Sequence, residues 1–227
     1  MTVSEIIKKL KKLGSAKNIA GMARFGITAK KVYGVCTPDL MMIAGQAGKN
    51  HELAQKLWRS GIYEARILAG MVDRPEWVTP KQMDIWARDF DSWAVCDSNC
   101  MRLFSKTPFA HKKVWQYAKS PQEYVRRTAF ALIASLTVHD KKSPDAIFAE
   151  YFPLIKKYAT DERNYVRKAV NWALRQIGKR NLALNKKAIA CAKEIQKIKS
   201  KSARWIAGDA LRELQGEAVQ GRLKNKK

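Results

Sequence analysis

The chain is poor in acids, cysteine and histidine, and it has no long apolar run. Of its 227 residues only 20 are Asp or Glu, against 44 Lys or Arg, so the formal net charge is +24. No segment approaches the roughly 18 consecutive apolar residues that span a bilayer. The first fifteen residues have no continuous apolar core and no cleavage signature, so no secretory signal is expected. Cys36, Cys96, Cys100 and Cys191 contain no CxxC pair, and Cys96 and Cys100 share one helix face. That spacing suits neither a disulfide staple nor a zinc ribbon. His51, His111 and His139 are scattered. The expectation is a cytoplasmic protein with reduced thiols, no metal, no cofactor and no membrane partner.

The same scarcity of acids points to a polyanionic partner. Residues 1–150 carry 24 basic and 14 acidic groups, and residues 151–227 carry 20 and 6, so the last third is the more basic. A hydrophobic fraction of 46% excludes a disordered basic tail. A single domain over 1–227 is expected, with a basic tail at Lys224, Lys226 and Lys227.

Proline marks the secondary structure. Five of the seven follow Ser or Thr, at Thr37-Pro38, Thr79-Pro80, Thr107-Pro108, Ser120-Pro121 and Ser143-Pro144. Ser or Thr at N-cap with Pro at N1 starts a helix, because Pro lacks an N–H that would go unpaired there. Thr79…Gln82 and Ser120…Glu123 add the spacing of a capping box. With no period-2 segment, the reading is all-α, about a dozen helices. Ile6, Ile7, Leu10 and Leu13 give the first helix an apolar face for packing. Met41, Met42 and Met71 are read as core fillers.

A motif recurs. Tyr124-Val-Arg-Arg-Thr-Ala returns 41 residues later as Tyr165-Val-Arg-Lys-Ala-Val, and Ala203-Arg-Trp-Ile follows at a shift of 37. A weaker copy begins at Ala65-Arg66. A period near 40 with two helices per unit is the mark of an α-solenoid, and Asp161…Val166-Arg167 resembles the HEAT repeat. The expected fold is a curved α-solenoid of HEAT-like repeats. Arg126, Arg167 and Arg204 then either line a basic concave surface against phosphates or bond an acid of the neighbouring repeat.

One acidic cluster stands out, Asp89-Phe-Asp91-Ser-Trp93-Ala-Val-Cys-Asp97. If Ser92 caps a helix, Trp93 and Asp97 lie one turn apart on one face. An aromatic plane beside a carboxylate suits a cationic ligand, or cationic charge that develops in a transition state. The plain alternative is a core Trp and a solvated Asp.

These residues carry a resemblance. Met22-Ala-Arg-Phe25, Tyr33-Gly-Val35, Ser92-Trp93…Asp97-Ser98, Tyr124-Val-Arg-Arg127 and Lys168-Ala-Val-Asn-Trp172-Ala-Leu-Arg175 resemble, in order and spacing, the AlkD family of DNA glycosylases. That family removes alkylated bases and is built from HEAT-like repeats. The resemblance implies Asp97, Trp93, Trp172 and Arg127 as the catalytic set. It also implies Phe25, where the family has a Tyr, as a DNA contact. Arg126, Arg167, Lys168, Arg175 and Arg204 are the further candidate DNA contacts. Implied too are double-stranded DNA with alkylated bases as partner, hydrolysis without metal or cofactor, and action as a monomer. Asp97 would stabilise an oxocarbenium-like sugar, and Arg127 would hold a phosphate. The competing classes are a non-catalytic nucleic-acid scaffold and a solenoid for an acidic protein.

Overall fold

Thr2 starts the first helix with a full capping box. Its hydroxyl accepts from Glu5 N, and the Glu5 carboxylate accepts from Thr2 N at 2.8 Å, which satisfies two of the orphan donors at a helix start. The computed structural model describes residues 1–225; Lys226 and Lys227 of the expected tail lie outside them. Among the described residues all regular structure is helical: fifteen α-helices and two short 3-10 turns, Pro75–Trp77 and Phe104–Lys106. Among them no helix is long and apolar enough to cross a membrane. The chain forms two compact units, Met1–Thr107 and Pro108–Lys227.

The first unit holds α1 (Val3–Lys12), α2 (Ala16–Arg24), α3 (Thr37–Ala47), α4 (His51–Arg59), α5 (Tyr63–Val72), α6 (Pro80–Asp89) and α7 (Trp93–Arg102). Helix α5 is its hub and packs on α3, α4 and α7. Ile6 and Leu10 of α1 are fully buried. The core centres on Trp58 and Trp86, stacked with ring centroids 4.0 Å apart, and Phe90 stands edge-on to Trp58. Aromatic pairs of this kind add about 1 kcal/mol beyond the area they bury. Met41 and Met42 are corrected from core fillers to exposed residues at 54% and 48%; both point away from the α3 positions that pack inward, Leu40 and Ile43.

The second unit holds α8 (Ala110–Ala118), α9 (Glu123–His139), α10 (Asp145–Ala149), α11 (Tyr151–Tyr158), α12 (Asn164–Gly178), α13 (Leu182–Gln196), α14 (Lys201–Leu214) and α15 (Glu217–Lys224). Helices α9, α12 and α14 pack in succession, and each also packs on a partner, α8, α11 and α13 respectively. The recurrent motif opens each member of that row. Polar bonds tie one repeat to the next at nearly constant sequence distance: Ser202 Oγ donates to Asp161 O across 41 residues, and Tyr165 N donates to Glu123 Oε1 across 42. The Tyr124 and Tyr165 rings stack with centroids 5.5 Å apart.

The proline reading needs correction in detail. Thr79 caps α6 and accepts from Gln82 N at 3.1 Å, but the Gln82 side chain reaches Asp73 Oδ2 instead of closing the box. Ser120 accepts from Gln122 N in a local turn, and α9 begins at Glu123 with Gln122 as N-cap. Thr107 turns its hydroxyl back to Phe104 O. Cys36 and Pro144 occupy the N-cap positions of α3 and α10.

Candidate active site

Ser92 is the N-cap of α7 and accepts from Ala94 N at 3.3 Å. This places Trp93 and Asp97 at i and i+4, on one face of the helix. Both are half-buried. The Trp93 indole is fixed at its far end, where Nε1 donates to Phe25 O at 2.9 Å. Phe25 is the C-cap residue of α2 and is 71% exposed. Fixing both ends of the indole orients its face.

Two devices hold α2 and α7 in place. At α7, Asn99 is fully buried and donates to Val95 O at 2.8 Å and to Arg66 O at 3.3 Å. The facing residue of α5 is Gly70, and a Cβ there would run into Asn99 Oδ1. At α2, Glu64 clasps the loop that follows. Its carboxylate is fully buried and accepts from Tyr33 N, from Gly34 N at 2.7 Å and from Val35 N at 3.3 Å. Gly34 has φ +78°, and a Cβ on it would meet Ser15 O, so only Gly fits. Such bonds offset the cost of a buried carboxylate. Glu64 was not singled out in the sequence; its one signal is an acid within the apolar run Ile62 to Val72.

The acidic cluster divides by role. Asp89 Oδ2 accepts from Trp58 Nε1 at 2.9 Å. Asp91 faces Arg66 Nη1 at 3.5 Å. Arg66 lies over the Trp58 ring and also donates to Asp89 O. Asp89 and Asp91 thus serve the fold around α6, whereas Asp97 stands on the α7 face beside Trp93.

The remaining candidates belong to the second unit. Arg127 is 5% exposed and donates from Nη1 to Tyr165 O at 2.6 Å. Its neighbour Arg126 is engaged within the protein. It donates to Asp161 Oδ2 at 2.7 Å and to Ala118 O at 3.0 Å, and it lies over the Tyr158 ring. Burial pushes the Asp161 carboxyl up, but hydrogen bonds from Arg163 and Arg126 outweigh it and hold its pKa below the ordinary carboxylate value. On α12, Lys168 is exposed and Trp172 half-buried. Arg175 pairs with Glu213 and lies 3.6 Å from Asp209 Oδ2. Arg204 is exposed on α14.

The family model of DNA alkylation repair enzymes matches residues 6–214. The chain belongs to the DNA alkylation repair enzyme family. A solved structure that aligns with 98% of this chain and 96% of its own, at 20% identity and a TM-score of 0.84, is described as a new family of proteins related to the HEAT-like repeat DNA glycosylases with affinity for branched DNA structures. It shows that the fold is the HEAT-like repeat fold. A designed armadillo repeat protein in complex with a (KR)4 peptide aligns with 82% of this chain and 84% of its own, at 14% identity and a TM-score of 0.36. No curated protein sequence matches the chain.

Proposed function

We propose that this protein is a monofunctional DNA glycosylase that hydrolyses the N-glycosidic bond of positively charged alkylpurines, of the 3-methyladenine and 7-methylguanine type, in duplex DNA. It acts as a monomer in the cytoplasm, without metal or cofactor. The observation that carries the reading is the α7 face, where Trp93, oriented by the Phe25 carbonyl, stands one turn from Asp97.

An N-alkylated purine is already a good leaving group. The C1′–N bond breaks, its electron pair returns to the ring nitrogen, and the base departs neutral. Positive charge then sits on the sugar, and water adds to C1′ with loss of a proton. A carboxylate beside that sugar lowers the barrier because it meets charge that exists mainly in the transition state. We assign this role, and the orientation of the water, to Asp97. Trp93 supplies an aromatic face against the deoxyribose, and Trp172 takes the second aromatic role that the family resemblance implies. Arg127, which keeps 5% exposure and donates from Nη1 to Tyr165 O, is assigned the phosphate beside the lesion. Lys168 and Arg204, exposed on α12 and α14, are proposed as phosphate contacts together with the Phe25 ring.

A second reading, a nucleic-acid scaffold without chemistry, is favoured by the affinity for branched DNA that names the structural relative's family. One experiment separates the two. Methylated duplex DNA is incubated with the wild type and with Asp97→Asn, and released bases are quantified. The glycosylase reading expects release by the wild type, and a loss of about 100-fold or more in Asp97→Asn at unchanged duplex affinity. Intact binding with no release by the wild type establishes the scaffold reading.

A further inference from the structure

Helices α12 and α14 face one another along a three-rung ladder with a constant offset of 38 residues. In the last rung Arg175 pairs with Glu213, and Lys179 Nζ joins the same carboxylate at 2.7 Å. In the middle rung Asn171 Nδ2 donates to Asp209 Oδ2 at 2.7 Å. The first rung breaks the pattern: where the others present a carboxylate, α14 presents Trp205. The Arg167 guanidinium lies over that ring, 5.3 Å from its centroid. Among the described residues its one side-chain acceptor is the neutral amide of Asn164, at 3.4 Å. Arg167 Nε is buried and has no hydrogen-bond partner.

The consequence is charge without compensation. The first rung sits at the amino-terminal ends of both helices, where the backbone dipole also favours anions. Lys168, Lys201 and Arg204 are exposed beside it, and none of the three has an ion-pair partner among the described residues. Trp205 itself is 40% exposed. On α14 it shares a face with Lys201 and Gly208, at spacings of four and three, and nothing stands within 4 Å of the space a Cβ on Gly208 would take. A strand can therefore approach that helix closely. An exposed indole amid cations is ill suited to a paired duplex, whose base faces are already stacked on one another. It suits a base whose face is free.

We infer that the Arg167–Trp205 rung is a binding site for an unpaired nucleotide of DNA. The base stacks on the open indole surface, and its flanking phosphates lie on Arg167, Lys201 and Arg204. The site would let the protein prefer DNA with a single-stranded extension over blunt duplex. It rests on the reading of the protein as one that acts on DNA, but not on Asp97 or on base release.

The test uses the full chain and two fluorescein-labelled probes with the same duplex, one blunt and one with a single-stranded overhang. Wild type is expected to bind the overhang probe more tightly. Trp205→Leu keeps an apolar side chain and removes the aromatic face, and it should cut the overhang-to-blunt affinity ratio by about tenfold. Trp205→Phe should retain most of the ratio. In a second measurement, 2-aminopurine at the first unpaired position should be quenched by the wild type and much less by Trp205→Leu. No preference for the overhang in wild type, an equal loss on both probes, or a Phe variant as weak as Leu overturns the inference. Overhang preference without base release overturns the glycosylase reading alone. Base release with a ratio indifferent to Trp205 overturns the inference alone.

Discussion

At the scale of single residues, the two uses of a carboxylate in this chain are opposites. Asp161 is spent on the fold: it joins Arg126 at 2.7 Å and Arg163 at 2.6 Å, and its side chain is 7% exposed. Removing one member of such a buried pair leaves uncompensated charge, so Asp161→Ala should cost about 3 kcal/mol in urea unfolding. The pH dependence follows from the direction of its shift. The folded-state pKa is lowered from 3.8, so its stabilisation is complete above that value and is lost as pH falls through the folded pKa. Wild type should therefore lose melting temperature on acidification below about pH 4, and Asp161→Asn should show a flatter profile there. A variant profile parallel to wild type would remove Asp161 as a source of acid sensitivity. The worth proposed for Asp97, by contrast, is kinetic.

At the scale of elements, α7 is positioned by what α5 lacks. Gly70 admits Asn99, and Asn99 in turn ties α7 to α5 through Arg66 O. Gly70→Ala should displace Asn99, destabilise the protein by about 2 kcal/mol and reduce base release more than duplex binding. Adding Asn99→Ala should restore part of the stability, and a failure to do so would place the clash elsewhere. Much at this scale was legible in the sequence. The recurrence at Tyr124, Tyr165 and Ala203 marked α9, α12 and α14 in register, because a repeat must present the same residues to each neighbour. Ser92 marked the start of α7, which set Trp93 and Asp97 on one face. The Ser/Thr-Pro rule located helix starts to within a few residues but seldom the cap itself. Proline only disfavours helical conformation in the residue before it, since Thr37 and Phe152 are helical ahead of a proline, and Ser120 and Thr107 spend their hydroxyls on local turns. Glu64 and Trp205 were not legible, since their partners, the amides of Tyr33 to Val35 and the Arg167 guanidinium, stand 29 to 38 positions away in the chain.

At the scale of the whole molecule, the excess of 24 positive charges acts as a field before it acts as contacts. Duplex affinity should fall steeply with salt, by about a thousandfold between 50 and 200 mM if some six phosphates are neutralised. A shallow slope would mean that most of the cations serve the protein, as Arg126 and Arg175 do. The bonds that join the helices of the second unit also set how it comes apart. Each ties a repeat to the next one only, so stability there is a sum of neighbouring interfaces, with no single keystone. Such an array can fray from one end while the rest persists. Residues near α14 would then exchange their amide hydrogens sooner than those of α9, which is buried along most of its length. A protein built this way can yield locally to a distorted ligand without unfolding.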